Sequence, residues 1–314
     1  MKKRLLTGSI ILLVAALFLV TTLYTPYAFD LFVGVLAVMG CVEVSRVLER
    51  KRMFSNILFV GSFPAIFYIA MQIGIINDRP WFYFVLYFII ILLALFLFNY
   101  LFTIIFKKTT LRERDKYGIV VSNNKYALQK CMNSTFIMIY PAILFACLFI
   151  INHFFDFSFN SISIENPALV ITFFLVLIFA VTMITDSMAL VVGMTCKGPK
   201  LCPLISPKKT ISGAIGGLIF GSGAGVLVFY LFTLNSTFAS MMATLNITWW
   251  MILIVSVITS IIGQIGDLVA SALKRSARVK DYGTIFPGHG GVMDRVDGLI
   301  FNAFTILIAM FILI

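Results

Sequence analysis

Charge is what this sequence has least of. Asp, Glu, Lys and Arg make up only 12% of its 314 residues, while 61% are hydrophobic. A soluble domain carries roughly 25% charged residues, so a freely soluble enzyme is excluded and the membrane class is nearly forced. Strand-period alternation is nowhere sustained, which removes a transmembrane β-barrel. Internal repeats and low-complexity tracts are missing too, so neither a repeat array nor a disordered linker organises the chain. Cysteine is sparse. Cys41, Cys131 and Cys147 fall inside apolar runs, and Cys196 and Cys202 share one loop with no histidine beside them. A zinc site lacks its other ligands there, and two free thiols are expected.

What is present is a succession of long apolar runs, with a mean hydropathy of +1.05. Counted in units of about 20 residues they give about nine transmembrane helices, at roughly 5–24, 26–46, 54–75, 82–106, 131–154, 168–193, 210–233, 246–273 and 296–314. The predicted fold is all-α and polytopic. Met1-Lys2-Lys3-Arg4 ahead of an apolar stretch also suits a signal peptide, but the run from Leu5 to Tyr24 is longer than a typical signal core and reads as the first span. Chemistry-bearing residues concentrate late. The expected organisation is therefore an N-terminal set of helices over 1–170 and a catalytic region over 171–314.

Lysine and arginine orient these spans. With the N-terminus inside, every Lys and Arg except Arg79 falls on the inside face, while Asp78, Asp156 and Glu165 lie outside. A bias this complete predicts a multi-pass protein of the cell membrane with a cytoplasmic N-terminus. It also accounts for the net charge of +11 without nucleic acid, because basic loops hold to the anionic inner leaflet. Glycines at 213, 217, 221 and 225 make one smooth face on the seventh span, suited to close helix packing.

The 13 carboxylates are few enough for their positions to matter. Asp186 and Asp267 sit within apolar helices, where a carboxylate is costly unless a cation or water meets it. Asp30 and Glu43 lie near span ends and read as structural. Asp294 and Asp297, three apart at the start of the last span, share a helix face. Hard carboxylate oxygens hold Mg²⁺ together with substrate phosphates. Asp186, Asp267, Asp294 and Asp297 are thus the candidate ligands of Mg²⁺, with a second metal ion admissible.

Around them lie the groups that meet anions. Lys274, Arg275, Lys280 and Arg295 supply positive charge for phosphates. Gly288, Gly290 and Gly291 permit close ligand approach, and their N–H groups suit an anion-binding nest. Ser271 is a candidate donor to phosphate, and His289 either a donor or a loop-ordering residue. A second inside loop, Ser206-Pro207-Lys208-Lys209-Thr210, precedes the glycine-striped helix. It offers a further anion site or, alternatively, a basic helix cap. Both loops face inside, so they can converge on one polyphosphate.

Ser271-x-x-Lys274-Arg275, Lys280-Asp281, Pro287-Gly288-His289-Gly290-Gly291 and Asp294-Arg295-x-Asp297 together resemble the signature of the phosphatidate cytidylyltransferases, with every fixed position filled. Gly266-Asp267-Leu268, Ser206–Thr210 and Asp186-x-x-Ala189 with Gly193 resemble further segments of that family. Leu190, Ser212 and Gly298 depart from it, standing where an aromatic residue, an x-Glu-Gly segment and a serine are usual. The resemblance implies transfer of a cytidylyl group from CTP to phosphatidate in phospholipid biosynthesis, giving CDP-diacylglycerol and pyrophosphate. It implies catalytic roles for Lys274, Arg275, His289 and Arg295. It implies substrate-binding roles for Ser206, Lys208, Lys209, Thr210, Ser271, Lys280, Gly290 and Gly291. The expected partners are CTP, phosphatidate and membrane lipids, with a homodimer as the candidate assembly and a lateral opening at the inner leaflet for the lipid. A CTP-dependent polyprenol kinase, a CDP-archaeol synthase and a membrane transporter are the alternatives.

Overall fold

The computed structural model describes residues 2–51, 53–77, 123–157, 164–286 and 290–314, with scattered residues between 89 and 101. Apolar runs become helices because a segment surrounded by lipid must satisfy its own backbone polar groups. In chain order these are α1 (Lys2–Thr21), α2 (Pro26–Arg50), α3 (Ile57–Ile76), α4 (Asn123–Ile137), α5 (Leu144–Asn152), α6 (Pro167–Thr195), α7 (Ile211–Thr233), α8 (Ser236–Thr244), α9 (Trp249–Ser276) and α10 (Met293–Leu313). The protein is an all-α polytopic membrane protein. Among the described residues, 7 helical stretches are long and apolar enough to cross a membrane, and they match seven of the expected spans. The first expected span is helix α1. The span expected over 82–106 lies largely outside the described residues.

Three details differ from the sequence reading. The span expected over 131–154 is broken. α4 and α5 are joined by a π-helical turn, Met138–Ile143, where Tyr140 leaves helical geometry at φ −126, ψ 115 beside Pro141. Proline has no N–H to give the ladder and clashes with the preceding turn. Secondly, α8 was not expected. It is capped by Asn235, whose side chain accepts from the Phe238 N–H at 3.1 Å, and the Phe238 ring packs among Phe173, Phe229 and Phe232. Thirdly, the loop after α6 is a hairpin. Lys197 and Gly198 turn the chain through left-handed conformations (φ 53 and 111). Strand β1 (Lys200–Cys202) then pairs antiparallel with β2 (Ser206–Thr210), matching Lys200 to Thr210 and Cys202 to Ser206.

The chain forms two compact units, Met1–Val33 with Cys147–Phe155 and Ser161–Ile314, and Gly34–Ala146 with Asp156–Asn160. In the second unit the Asn133 amide donates to the Phe54 carbonyl at 2.9 Å, tying α4 to the segment before α3. In the first, α6, α7, α9 and α10 pack together. The glycine face of α7 lies directly on α6. A Cβ at Gly213 would meet the Ala189 carbonyl oxygen at 2.5 Å, and one at Gly217 the Thr185 carbonyl oxygen at 2.8 Å. Buried hydroxyls and amides join the remaining helices: Thr185 bonds Ser260 at 2.9 Å, and Asn302 donates to Thr182 at 2.7 Å. In an apolar interior such a bond is worth about 1 kcal/mol. Away from these helices Asp30 is buried, held by Asn152 and His153 at 2.8 Å each.

Candidate active site

The site is built where α6 ends, α9 ends, α10 begins and the hairpin folds between them. Alternation along β2 sends Lys208 and Lys209 to opposite faces. Lys208 is exposed, whereas Lys209 forms an ion pair with Asp267 of α9. Thr210 turns inward and caps α7, its hydroxyl oxygen accepting from the Gly213 N–H at 3.1 Å. Of the two readings of this segment, the helix cap therefore describes Thr210 and the anion site is left to its lysines. Ser212 donates to the Lys197 carbonyl and closes the base of the hairpin.

Asp267, Ser271 and Lys274 recur at i, i+4 and i+7 and so share one face of α9. The Ser271 hydroxyl stands 3.5 Å from Asp267 Oδ1, too far for a firm hydrogen bond. Asp186 of α6 and Asp297 of α10 bring two further carboxylates within electrostatic reach of Asp267. Asp186 is exposed, and among the described residues its charged neighbours include Asp267, Asp297, Lys209 and Arg295. Asp297 is 9% exposed and accepts from the Gly298 N–H at 3.0 Å. Gly298 itself lets α10 lie close on α9, since a Cβ there would stand 3.2 Å from the Gly263 carbonyl oxygen.

Asp294 is arranged differently from these three. Its side chain is only 4% exposed. Oδ1 accepts from Lys274 Nζ at 2.8 Å, and Oδ2 accepts from the N–H groups of Tyr282 at 2.7 Å and Gly291 at 2.9 Å. The carboxylate thus organises the whole turn between α9 and α10. Gly290 is required beside it: φ is 84, and a Cβ would come within 2.6 Å of Asp294 Oδ2. The Gly291 N–H, expected to face a bound anion, is committed to Asp294. Lys274, expected on a phosphate, is buried, paired with Asp294 and set 5.2 Å from the centre of the Tyr282 ring.

The remaining candidate cations are exposed. Arg275 is exposed, and its guanidinium donates to the carbonyls of Ile205 at 3.3 Å and Val279 at 3.2 Å, tying the hairpin to α9. Lys208, Lys280 and Arg295 are exposed, and Ser206 is half-buried. His289, with Pro287 and Gly288, lies outside the described residues. Tyr282 is a residue the sequence reading missed. It is 5% exposed, and its hydroxyl donates to the Ala270 carbonyl at 3.0 Å. A lone aromatic in a loop carries no periodic signal that would single it out.

The donor set suits Mg²⁺. Among the described residues no three His, Cys, Asp or Glu side chains converge tightly enough to enclose an ion. Mg²⁺ does not require that, since it keeps several waters and takes one or two carboxylates together with substrate phosphates. Asp186, Asp267 and Asp297 repel one another where ionised, and among the described residues the cations near them are Lys209, Lys274 and Arg295. A divalent cation removes that repulsion.

Comparison with known proteins gives a consistent picture. The profile of the cytidylyltransferase family matches residues 2–313. The phosphatidate cytidylyltransferase of Staphylococcus haemolyticus is 44% identical over 123 residues, covering 39% of this chain and 43% of the relative. The phosphatidate cytidylyltransferase of Staphylococcus saprophyticus is 43% identical over 123 residues, with the same coverage. That of Brucella abortus is 44% identical over 126 residues, covering 40% of this chain and 42% of the relative. The matched stretch thus spans less than half the length of each of these relatives.

Proposed function

We infer the activity from one premise: the chain belongs to the cytidylyltransferase family. The reaction we propose is CTP plus phosphatidate giving CDP-diacylglycerol plus pyrophosphate, at the cytoplasmic face of the cell membrane. The observation that carries it is the meeting of β2 with α9. Lys209 pairs with Asp267, which brings the two basic segments recognised in the sequence together and supports a single site. The family membership and the shared name of the relatives support cytidylyl transfer over the other lipid chemistries.

A phosphate oxygen of phosphatidate attacks the α-phosphorus of CTP. A new P–O bond forms, the bond from that phosphorus to the bridging oxygen of the β-phosphate breaks, and pyrophosphate leaves. The nucleophile is already ionised at neutral pH, so no strong general base is needed. The obstacle is the approach of two anions and the charge on the leaving group. Mg²⁺ held by Asp267, with Asp186 and Asp297 alongside, would neutralise phosphate charge and hold the reacting groups in line. The chain's own cations do the rest. Lys209 stands at the hairpin to receive the triphosphate, with Lys208 on the opposite face of the strand. Arg295, beside Asp186, and the exposed Lys280 would add positive charge. Asp294 acts as a positioning residue, fixing Lys274 and the loop through Gly291.

The test is incubation of the purified protein with phosphatidate, Mg²⁺ and CTP labelled at the α-phosphate. Label is expected in the lipid, with one pyrophosphate released per lipid. An unlabelled lipid product there, with label transferred instead from CTP labelled at the γ-phosphate, would mark a kinase. The cytoplasmic setting is supported by the distribution of Lys and Arg.

A further inference from the structure

Lys209 and a divalent cation require the same oxygen. Its ammonium pairs with Asp267 Oδ2, while among the described residues Oδ1 has Ser271 at 3.5 Å. The backbone that carries Lys209 is fixed. Lys200 pairs with Thr210, Thr210 caps α7, and Arg275 holds the Ile205 carbonyl at 3.3 Å. The freedom of Lys209 therefore lies in its side chain, which is 28% exposed, as is that of Asp267. Among the described residues Arg295 acts on Asp186, and two other lysines are placed elsewhere. Lys208 faces away on the strand, and Lys274 is held by Asp294.

We infer that Lys209 is a tethered competitor for the metal position, so that metal and polyphosphate bind by exchange of partners and each strengthens the other. This rests on the metal site proposed above. A divalent cation arriving alone strands the ammonium beside a second positive charge. A polyphosphate arriving alone faces Asp186, Asp267 and Asp297. When both arrive, Asp267 passes to the metal and Lys209 to a phosphate oxygen, and positive and negative charges alternate through the site. The coupling is reciprocal by thermodynamic necessity. It is specific to Lys209 and distinct from the affinity of the nucleotide for the metal in solution.

The experiment follows Mn²⁺ binding to the purified full-length chain in nanodiscs by electron paramagnetic resonance, with and without α,β-methylene CTP. After correction for the complex in solution, the analogue is expected to tighten Mn²⁺ binding by about 10-fold or more. Lys209→Gln is expected to bind Mn²⁺ alone about 10-fold more tightly than the unaltered chain, and to gain little further from the analogue. Lys209→Arg, which keeps the charge, and Lys200→Gln, which removes a charge elsewhere on the same hairpin, should both behave as the unaltered chain. If Lys209→Gln binds Mn²⁺ no better than Lys200→Gln while Asp267→Asn loses the ion, the exchange is wrong and the metal site stands. If Asp267→Asn keeps full Mn²⁺ affinity, the metal site itself is wrong and the exchange falls with it.

Discussion

Replacing Asp267 by Asn removes the charge at the centre of the carboxylate group while keeping its shape. Turnover is expected to fall by about 100-fold or more, measured as pyrophosphate release at saturating Mg²⁺. Asp294→Asn belongs to another class. The change turns an amide N–H toward Lys274, breaking a buried pair, and the cost to stability is about 3 kcal/mol. Its Mn²⁺ affinity should stay near that of the unaltered chain, because the Asp294 oxygens serve Lys274, Tyr282 and Gly291. Loss of Mn²⁺ equal to that of Asp267→Asn would return Asp294 to the metal ligands. Tyr282→Phe isolates one bond, from the phenol to the Ala270 carbonyl. It should cost about 1 kcal/mol in thermal unfolding followed in detergent. These roles were only partly legible in the sequence. A carboxylate in an apolar run stands out by its cost, which marked Asp186 and Asp267, while a shared helix face marked Asp294 and Asp297. Which oxygen meets a lysine and which a backbone N–H depends on a turn without periodicity, and that had to come from the structure.

At the scale of elements, the spans were legible because lipid-exposed backbone leaves only one conformation open to a long apolar run. The breaks were less so. Pro141 sits in a run whose composition gives no sign of a π-helical turn, and α8 is too short to show a period. The hairpin was invisible for a clearer reason. Ser206-Pro207-Lys208-Lys209-Thr210 contains little that favours a strand, and its extended form comes from pairing with Lys200–Cys202. The glycine face of α7 was read from spacing alone, and the contacts with Ala189 and Thr185 explain it. Gly217→Val should force α6 and α7 apart, costing about 2 kcal/mol or more in stability. Since the hairpin runs from the end of one helix to the start of the other, turnover should fall as well, although residue 217 touches no substrate. A variant that stayed as active and as stable as the original would remove the packing argument.

For the molecule as a whole, the charge distribution predicts which face carries the site. Cys196 is exposed, at the end of α6 beside the hairpin, while Cys41, Cys131 and Cys147 are buried. A membrane-impermeant maleimide is therefore expected to label inside-out vesicles at Cys196 and to leave right-side-out vesicles unlabelled there. The reverse pattern would overturn the orientation and put the site on the wrong side for CTP.

Helix α9 also acts as a depth gauge. Trp249 and Trp250 are exposed at its first turn, in the manner of aromatic residues at a membrane–water boundary. Asp267 stands eighteen residues further along, which at the rise of an α-helix is about 27 Å. The hydrocarbon layer is about 30 Å thick. An upright α9 thus brings Asp267 close to the opposite edge of the hydrocarbon layer. In the proposed reaction, a phosphatidate headgroup would already lie near the depth of Asp267, and the lipid would not need to be lifted from its leaflet.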